Sequence, residues 1–453
     1  MILYYNIDKN ATLQSKKRVR NIEKFPVRGY IMHSCFIYYQ LEGDRMSAAM
    51  SGENGGNINW KKNLILIWLS QLLGFIGYAA AVPFIPLFMM EQFGFTDKKL
   101  SLAVAAFNFC SALFIGIFSP VWGAVADRFG RKIMLFRATF ANGLIFPLMA
   151  FVPGFTMLII IRSVASMFSG TATAAQALVV SSTPEKHQGV ALGLLSSALW
   201  SGNMFGFLMG GTLVEYLGYK TAFITCGFLY MMACLILVPV KENFVRSSDV
   251  PQNKKWKFSS ISTGALVLFM LLFFVGMIRN FENPYLSLKV DELCRGVKSA
   301  FWTGQLSAAA AFGGILAGLI FGRLADRLPA GWLLVPAVSL SGLFLFGQGA
   351  SQTLWQLAAA RFCGYMMAGG IEPVLNVILS RITPPERRAS AFGVATFMRM
   401  SGFMLSTVAS GAAAYYFGIS GVFYTAGWLY LALMLLVIFA IFKLKSVAGN
   451  CDV

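Results

Sequence analysis

Charge is what this chain has least of. Lys, Arg, Asp and Glu together make up 12% of its 453 residues, against roughly a quarter in a soluble domain. That is too few to cover a water-facing surface. Acids are scarcer still, 19 against 37 Lys and Arg. Histidine is nearly absent: His33 stands in a polar tail and His187 in a turn. No His–Asp, His-rich or metal-spaced set falls within an apolar stretch, so acid–base and metal chemistry lack their usual parts. An integral membrane enzyme is therefore the weaker reading, and no catalytic residue, cofactor or metal is expected. The seven cysteines, at 35, 110, 226, 234, 294, 363 and 451, have neither ligand spacing nor a disulfide layout. Those inside apolar runs read as small packing residues. Rings of charge or a carbonyl filter, which a channel would need, are not visible.

What is present is apolar, 57% of the chain. It comes in runs long enough to cross a bilayer, which takes about 20 residues of helix. Lipid offers the backbone no hydrogen-bond partner, so such runs must be helical. The net charge of +18 raises the question of nucleic acid. Its placement answers against that: the charges lie in short turns between apolar runs, where they orient the chain and meet anionic lipid.

The runs fall near 64–90, 100–126, 132–152, 154–181, 189–214 and 219–240, then near 260–286, 299–324, 331–349, 352–380, 389–414 and 419–442. This predicts an all-α membrane protein of twelve transmembrane helices in two six-helix bundles, 60–240 and 259–443. A basic cytoplasmic linker, 241–258, joins them, and 444–453 form a cytoplasmic tail. Residues 1–59 read as a disordered tail without a signal-peptide layout. Met46 or Met50, shortly before Asn59-Trp60-Lys61-Lys62, looks like the natural start. Alternate loops near 127–132, 183–188, 241–258, 323–330 and 381–388 hold most Lys and Arg, whereas those near 153, 350 and 415–420 hold none. The positive-inside rule then puts both termini in the cytoplasm.

The halves repeat. Gly123, Asp127 and Arg128 recur as Gly322, Asp326 and Arg327, and Arg162 as Arg361, at one offset. Thr183-Pro184, Gly193 and Gly202 recur as Thr383-Pro384, Gly393 and Gly402, one residue further on. Parallel repeats of this kind are a transporter design, with the solute site near mid-membrane where the halves meet.

The turn after the second run, Gly123-Ala-Val-Ala-Asp127-Arg128-Phe-Gly130-Arg131-Lys132, fits the pattern Gly-x-x-x-Asp-Arg-x-Gly-Arg-Lys at every fixed position. The fifth run reads Gly202-Asn-Met-Phe-Gly206-Phe207-Leu-Met-Gly210-Gly211, close to Gly-x-x-x-Gly-Pro-x-x-Gly-Gly with Phe207 in the proline position. With these motifs, residues 60–443 resemble the major facilitator superfamily, and within it the twelve-helix drug/proton antiporters. The resemblance implies an exporter of small amphipathic compounds in the inner (cytoplasmic) membrane, working as a monomer by alternating access in exchange for protons. A proton-coupled metabolite or sugar transporter is the alternative. It further implies a latch: Asp127 would accept hydrogen bonds from the start of the eleventh helix, whose N-terminus carries partial positive charge. Gly123 would permit close approach, and Arg128, Arg131 and Lys132 would hold nearby acids and lipid phosphates. The second copy keeps Asp326 and Arg327 but loses the Gly-Arg-Lys end. The bland reading of the turn is topology charge alone, and that of the fifth-helix glycines is ordinary packing.

A charge at membrane depth costs roughly 2.5–3.5 kcal/mol and asks for a partner or a role. Arg162, in the fourth run, occupies the place where the resemblance puts a functional arginine. It and Arg361 either serve the cavity or snorkel to an interface. Glu372, beside Pro373, is the first candidate for the proton site, since an isolated carboxylate at low dielectric can take up and return a proton near neutral pH. Arg279 and Glu282 stand three apart and are expected to pair, either facing the cavity or closing its mouth. Arg399 either pairs with Glu372 or stays near the cytoplasmic end. The first run has no acid before Glu91, so neutral or anionic amphiphiles are favoured over cations.

Overall fold

The computed structural model describes residues 59–242, 263–325, 328–383 and 388–448. The proposed start at Met46 or Met50, most of the 241–258 linker, and Asp326 and Arg327 lie outside them. Among the described residues every regular element is a helix. Ten helical stretches are long and apolar enough to cross a membrane. Two of these, Gln188–Leu237 and Ala391–Ile441, run to 50 and 51 residues. An unbroken helix of about 50 residues would be about 75 Å long, more than twice the roughly 30 Å of hydrocarbon. Each therefore turns back once, at Gly218 (φ 79°, ψ 169°) and Gly418 (φ 73°, ψ −177°). Twelve spans result, six in each half, and the two turning glycines obey the same repeat.

Both glycines hold a backbone conformation that essentially only glycine adopts, with open space where a Cβ would stand. Gly218→Ala should therefore cost about 1–3 kcal/mol through backbone strain alone, seen as a lower unfolding temperature in detergent without loss of the helical signal.

Several spans are interrupted where they meet the centre of the molecule. The first runs Trp60–Ala81, passes through a 3-10 turn at Val82–Phe84 around Pro83, and resumes as Ile85–Phe93. The seventh does the same: Thr263–Arg279, a 3-10 turn Asn283–Tyr285 around Pro284, then Leu286–Cys294. Proline lacks the amide proton of a helix interior and breaks it there. The fourth and tenth spans break before Thr171–Ser182 and Ile371–Ile382, at Gly170 and Gly370. Discontinuous helices at matching places in two halves mark where a transporter binds its solute.

Glycines on the second, fifth, eighth and eleventh spans show how the halves meet. Away from the basic loops they touch across the halves: a Cβ on Gly211 would lie 2.7 Å from the Ala300 carbonyl oxygen, and one on Gly411 would strike Ala105. Tyr285 Oη also donates to the Ser101 carbonyl, 3.2 Å away. Toward the basic loops, a Cβ on Gly116, Gly123, Gly193, Gly318 or Gly393 would meet nothing within 4 Å. The halves are shut at one end and splayed at the other. The close approach expected at Gly123 is consequently not made in this conformation.

The fifth span packs the other way along its length. Gly202, Gly206 and Gly210 press on the first span's backbone. The helix continues unbroken through Phe207, at the place where the motif it resembles has a proline.

Candidate functional site

The splayed halves enclose a cavity of about 590 Å³, within the roughly 300–1,000 Å³ of pockets that take drug-sized ligands. The interruptions line it: Val82 and Pro83 from the first span, Asn283 and Pro284 from the seventh, Glu372 just beyond the tenth-span break. Val104, Phe107, Leu199, Phe207 and Phe403 give the cavity an apolar wall, among which stand the amides of Asn108, Gln176, Asn203 and Asn280.

Three arginines and one acid line this cavity: Arg279, Arg361, Arg399 and Glu372. Glu372 receives both Arg279, from the seventh span, and Arg399, from the eleventh, as ion-pair partners. The isolated carboxylate expected from the sequence is thus bracketed by two cations. Of the two placements left open for Arg399, pairing with Glu372 is the one observed. The expected Arg279–Glu282 pair is not formed. The helix ends at Arg279, so a three-residue spacing no longer stacks these side chains on one face, and Glu282 enters the following 3-10 turn.

Glu282 instead meets Arg361 at 3.7 Å, and the two side chains are 4% and 3% exposed. Arg361 also donates to Asn283 Oδ1 at 2.7 Å and Gln348 Oε1 at 3.2 Å. Tyr365 Oη bridges Asn283 and Glu282, at 2.6 Å and 3.3 Å. A buried ion pair persists only when its remaining hydrogen-bonding groups are satisfied, and this one is nearly so.

Arg162 is buried too, at 5% exposure, and it does not snorkel. It donates to Tyr78 Oη at 3.2 Å. The rings of Phe107, Tyr78 and Phe146 stand 5.2, 5.6 and 5.9 Å from its guanidinium carbon. Among the described residues it has no acidic partner.

Other contributors had weaker signals in the sequence. Trp200, an uncharged residue of an apolar run, reaches from the fifth span to stack on Arg279 at 5.5 Å. Asn283 and Gln348, unremarked in the sequence, hold Arg361. Arg137 is a further arginine at membrane depth, its guanidinium 3.6 Å from the Trp122 ring; a charge seven residues into the third span was the available signal. At the motif turn, Glu242 accepts from the backbone amides of Arg131 and Lys132 at 2.9 and 2.8 Å. This carboxylate caps the third span where partial positive charge gathers. Arg131 also donates to the Ala177 carbonyl at 3.2 Å, and Lys132 to the Val238 carbonyl at 2.9 Å. Gly130, at φ 98°, makes the turn between the spans.

The Major Facilitator Superfamily model matches this chain over residues 67–291 and 268–450. The multi-drug resistance efflux pump PmrA of Streptococcus pneumoniae is 31% identical over 374 residues, 81% of this chain and 93% of that protein. The multidrug resistance protein MdtG of Proteus mirabilis is 31% identical over 338 residues, 72% of this chain and 83% of its own. Among solved structures, an inward-facing, unoccupied bacterial homolog to the human lysosomal transporter Spinster superposes with a TM-score of 0.61. It covers 85% of this chain and 96% of its own at 16% identity. The nucleoside transporter NupG does so at 0.67, covering 83% and 99% at 12% identity. At these identities the structures speak for the fold alone.

Proposed function

The chain belongs to the Major Facilitator Superfamily, and from that premise we propose that it exports small amphipathic compounds of the drug type across the cytoplasmic membrane in exchange for protons. The splayed end, with its basic loops, faces the cytoplasm in this reading, and both termini lie there. The halves rock about the cavity, closing the basic end and opening the other. The names of the relatives supply the substrate class. An apolar wall with scattered amides suits varied amphiphiles.

One observation carries the coupling: Glu372 lines the cavity and is shared by Arg279 and Arg399, which belong to two other spans. A proton on Glu372 would cancel the charge that holds both arginines, so proton binding would loosen three spans at once. Arg128, Arg131, Lys132 and Asp127 serve in this scheme as the turn that fastens the basic end once it closes, with Asp326 and Arg327 as its counterpart. Glu242 makes an analogous contact, a carboxylate on a helix N-terminus, which supports this reading. A proton-coupled metabolite transporter is the second reading, favoured by the amides of Asn108, Gln176, Asn203 and Asn280.

The test is drug accumulation in cells with and without a proton uncoupler. The wild type should hold accumulation down until the uncoupler is added. Glu372→Gln should accumulate drug as cells lacking the protein do, in both conditions. Full uncoupler-sensitive efflux by the variant would remove Glu372 from the proton path.

A further inference from the structure

Arg162 and Arg361 are repeat partners, yet their surroundings differ. Arg361 has a carboxylate, two amides and a tyrosine around it: Glu282, Asn283, Gln348 and Tyr365. Arg162 has one tyrosine hydroxyl and three aromatic rings; the Nε of either arginine is without a partner, so the difference lies in the missing carboxylate and amides. The repeat says what is missing. The first and seventh spans align through Pro83 with Pro284 and Glu91 with Glu292. On that register Ala81 stands where the other half has Glu282, and Val82 stands where it has Asn283. Both replacements lie at the first-span interruption, and Val82 and Tyr78 line the cavity.

The charges of the whole site agree. Glu282 cancels Arg361, and Glu372 cancels one of Arg279 and Arg399. Arg162 is left without a carboxylate among the described residues, and the Arg279–Glu372–Arg399 set keeps one net positive charge. A cation held away from water costs several kcal/mol, and an unmet guanidinium fork matches an oxyanion in shape.

Building on the export reading above, we propose that Arg162, which stands just behind the cavity-lining Tyr78 and Phe107, is the head-group site for anionic amphiphiles, reached when the Tyr78 side chain yields. The substrate's own carboxylate, or a sulfonate or phosphonate of like shape, takes at Arg162 the place that Glu282 takes at Arg361. Tyr78 shares the head group, and the apolar body lies toward Phe107, Leu199 and Phe207. Organic cations are repelled by the same excess charge. The chain has thus moved one half's carboxylate from the protein to the cargo.

The test uses three probes on one carbon frame: naphthylacetate, its neutral amide naphthylacetamide, and naphthylethylammonium. Each is radiolabelled and bound at neutral pH to the full chain in lipid nanodiscs. A charge-assisted hydrogen bond in place of a neutral one should make naphthylacetate bind about tenfold more tightly than the amide, with the ammonium weakest. In Arg162→Gln the acetate should fall to the level of the amide while the amide is unchanged, and Arg162→Lys should keep part of the preference. Ala81→Glu gives Arg162 the internal partner that Arg361 has, and should abolish the acetate preference with the arginine intact. It decides the matter should Arg162→Gln fail to fold. Equal binding of acetate and amide by the wild type, or a preference that survives in either folded variant, would overturn the proposal. Should the wild type still lower accumulation of an uncharged drug in cells, the transporter reading stands and only the anion site falls.

Discussion

Gly210→Val is expected to leave almost no assembled protein in the membrane. A Cβ at Gly210 would lie 2.5 Å from Ala80 Cα and 2.7 Å from its carbonyl carbon. Those are backbone atoms of the first span, which cannot swing aside as the tip of a side chain can. The neighbouring glycines repeat the pattern, with Gly206 facing the Ile76 carbonyl at 2.5 Å and Gly202 facing Phe75 Cβ at 2.6 Å. Four-residue spacing puts all three on one helix face, so the two spans meet backbone to backbone over about two turns. Overpacking in a filled core costs typically 1–3 kcal/mol and occasionally more. A whole valine side chain against a fixed helix belongs at the upper end, and native stability is only about 5–15 kcal/mol. Size-exclusion profiles of a fluorescent fusion would show the loss. Gly116→Val is the control, since its Cβ would meet open space, and it should run as the wild type does. Equal yields of the two variants would mean that the first and fifth spans are not in close contact.

Much of this architecture is legible before any coordinates. Spacing of apolar runs gives the spans, because lipid admits few other backbones. The repeat gives the halves, and Gly218 and Gly418 fall on its register. The proline interruptions were also within reach, since Pro83 and Pro284 stand at corresponding places, but each looks like an ordinary kink until both are seen at the cavity wall. Charged residues at depth are conspicuous because each is expensive, which is why Arg162, Arg279, Arg361, Arg399, Glu282 and Glu372 could be picked out singly. Of their partners, only Arg399 with Glu372 was among the open alternatives. Helical spacing favoured Arg279 with Glu282, and it failed because the helix stops at Arg279. Which faces of the seventh, tenth and eleventh spans converge depends on packing between distant segments, and no local pattern encodes that. Trp200 and Asn283 went unmarked for a related reason: an uncharged residue in an apolar run carries no penalty that would draw notice.

The second large effect is expected at the buried pair. Arg361→Leu should destabilise the protein by about 3–5 kcal/mol, the usual result of removing one member of a buried ion pair. What remains is Glu282, 4% exposed, a carboxylate with only hydroxyl and amide neighbours to hold its charge. Glu282→Leu should do comparable harm from the other side, leaving the Arg361 guanidinium on Asn283, Gln348 and Tyr365. The joint variant strands neither charge, and apolar replacements of a buried pair are often neutral or better. It should therefore be more stable than either single variant, which is the mark of a pair that costs more to break than to remove. Chemical unfolding in detergent, read as a double-mutant cycle, measures this. Simple additivity within about 0.5 kcal/mol would show that the two side chains do not depend on one another. The contrast with Glu372 is physical. Glu372 is 19% exposed on the cavity and shared between two arginines, so water, a proton or a solute can reach it and its bonds can be exchanged. Glu282 and Arg361 are nearly fully buried, with only the edge of Arg361 at the cavity wall, and nearly saturated. A cycle that shows strong coupling at 282 and 361, beside a Glu372→Gln variant that folds but does not export, would separate the charges that hold this membrane bundle together from the charge that works it.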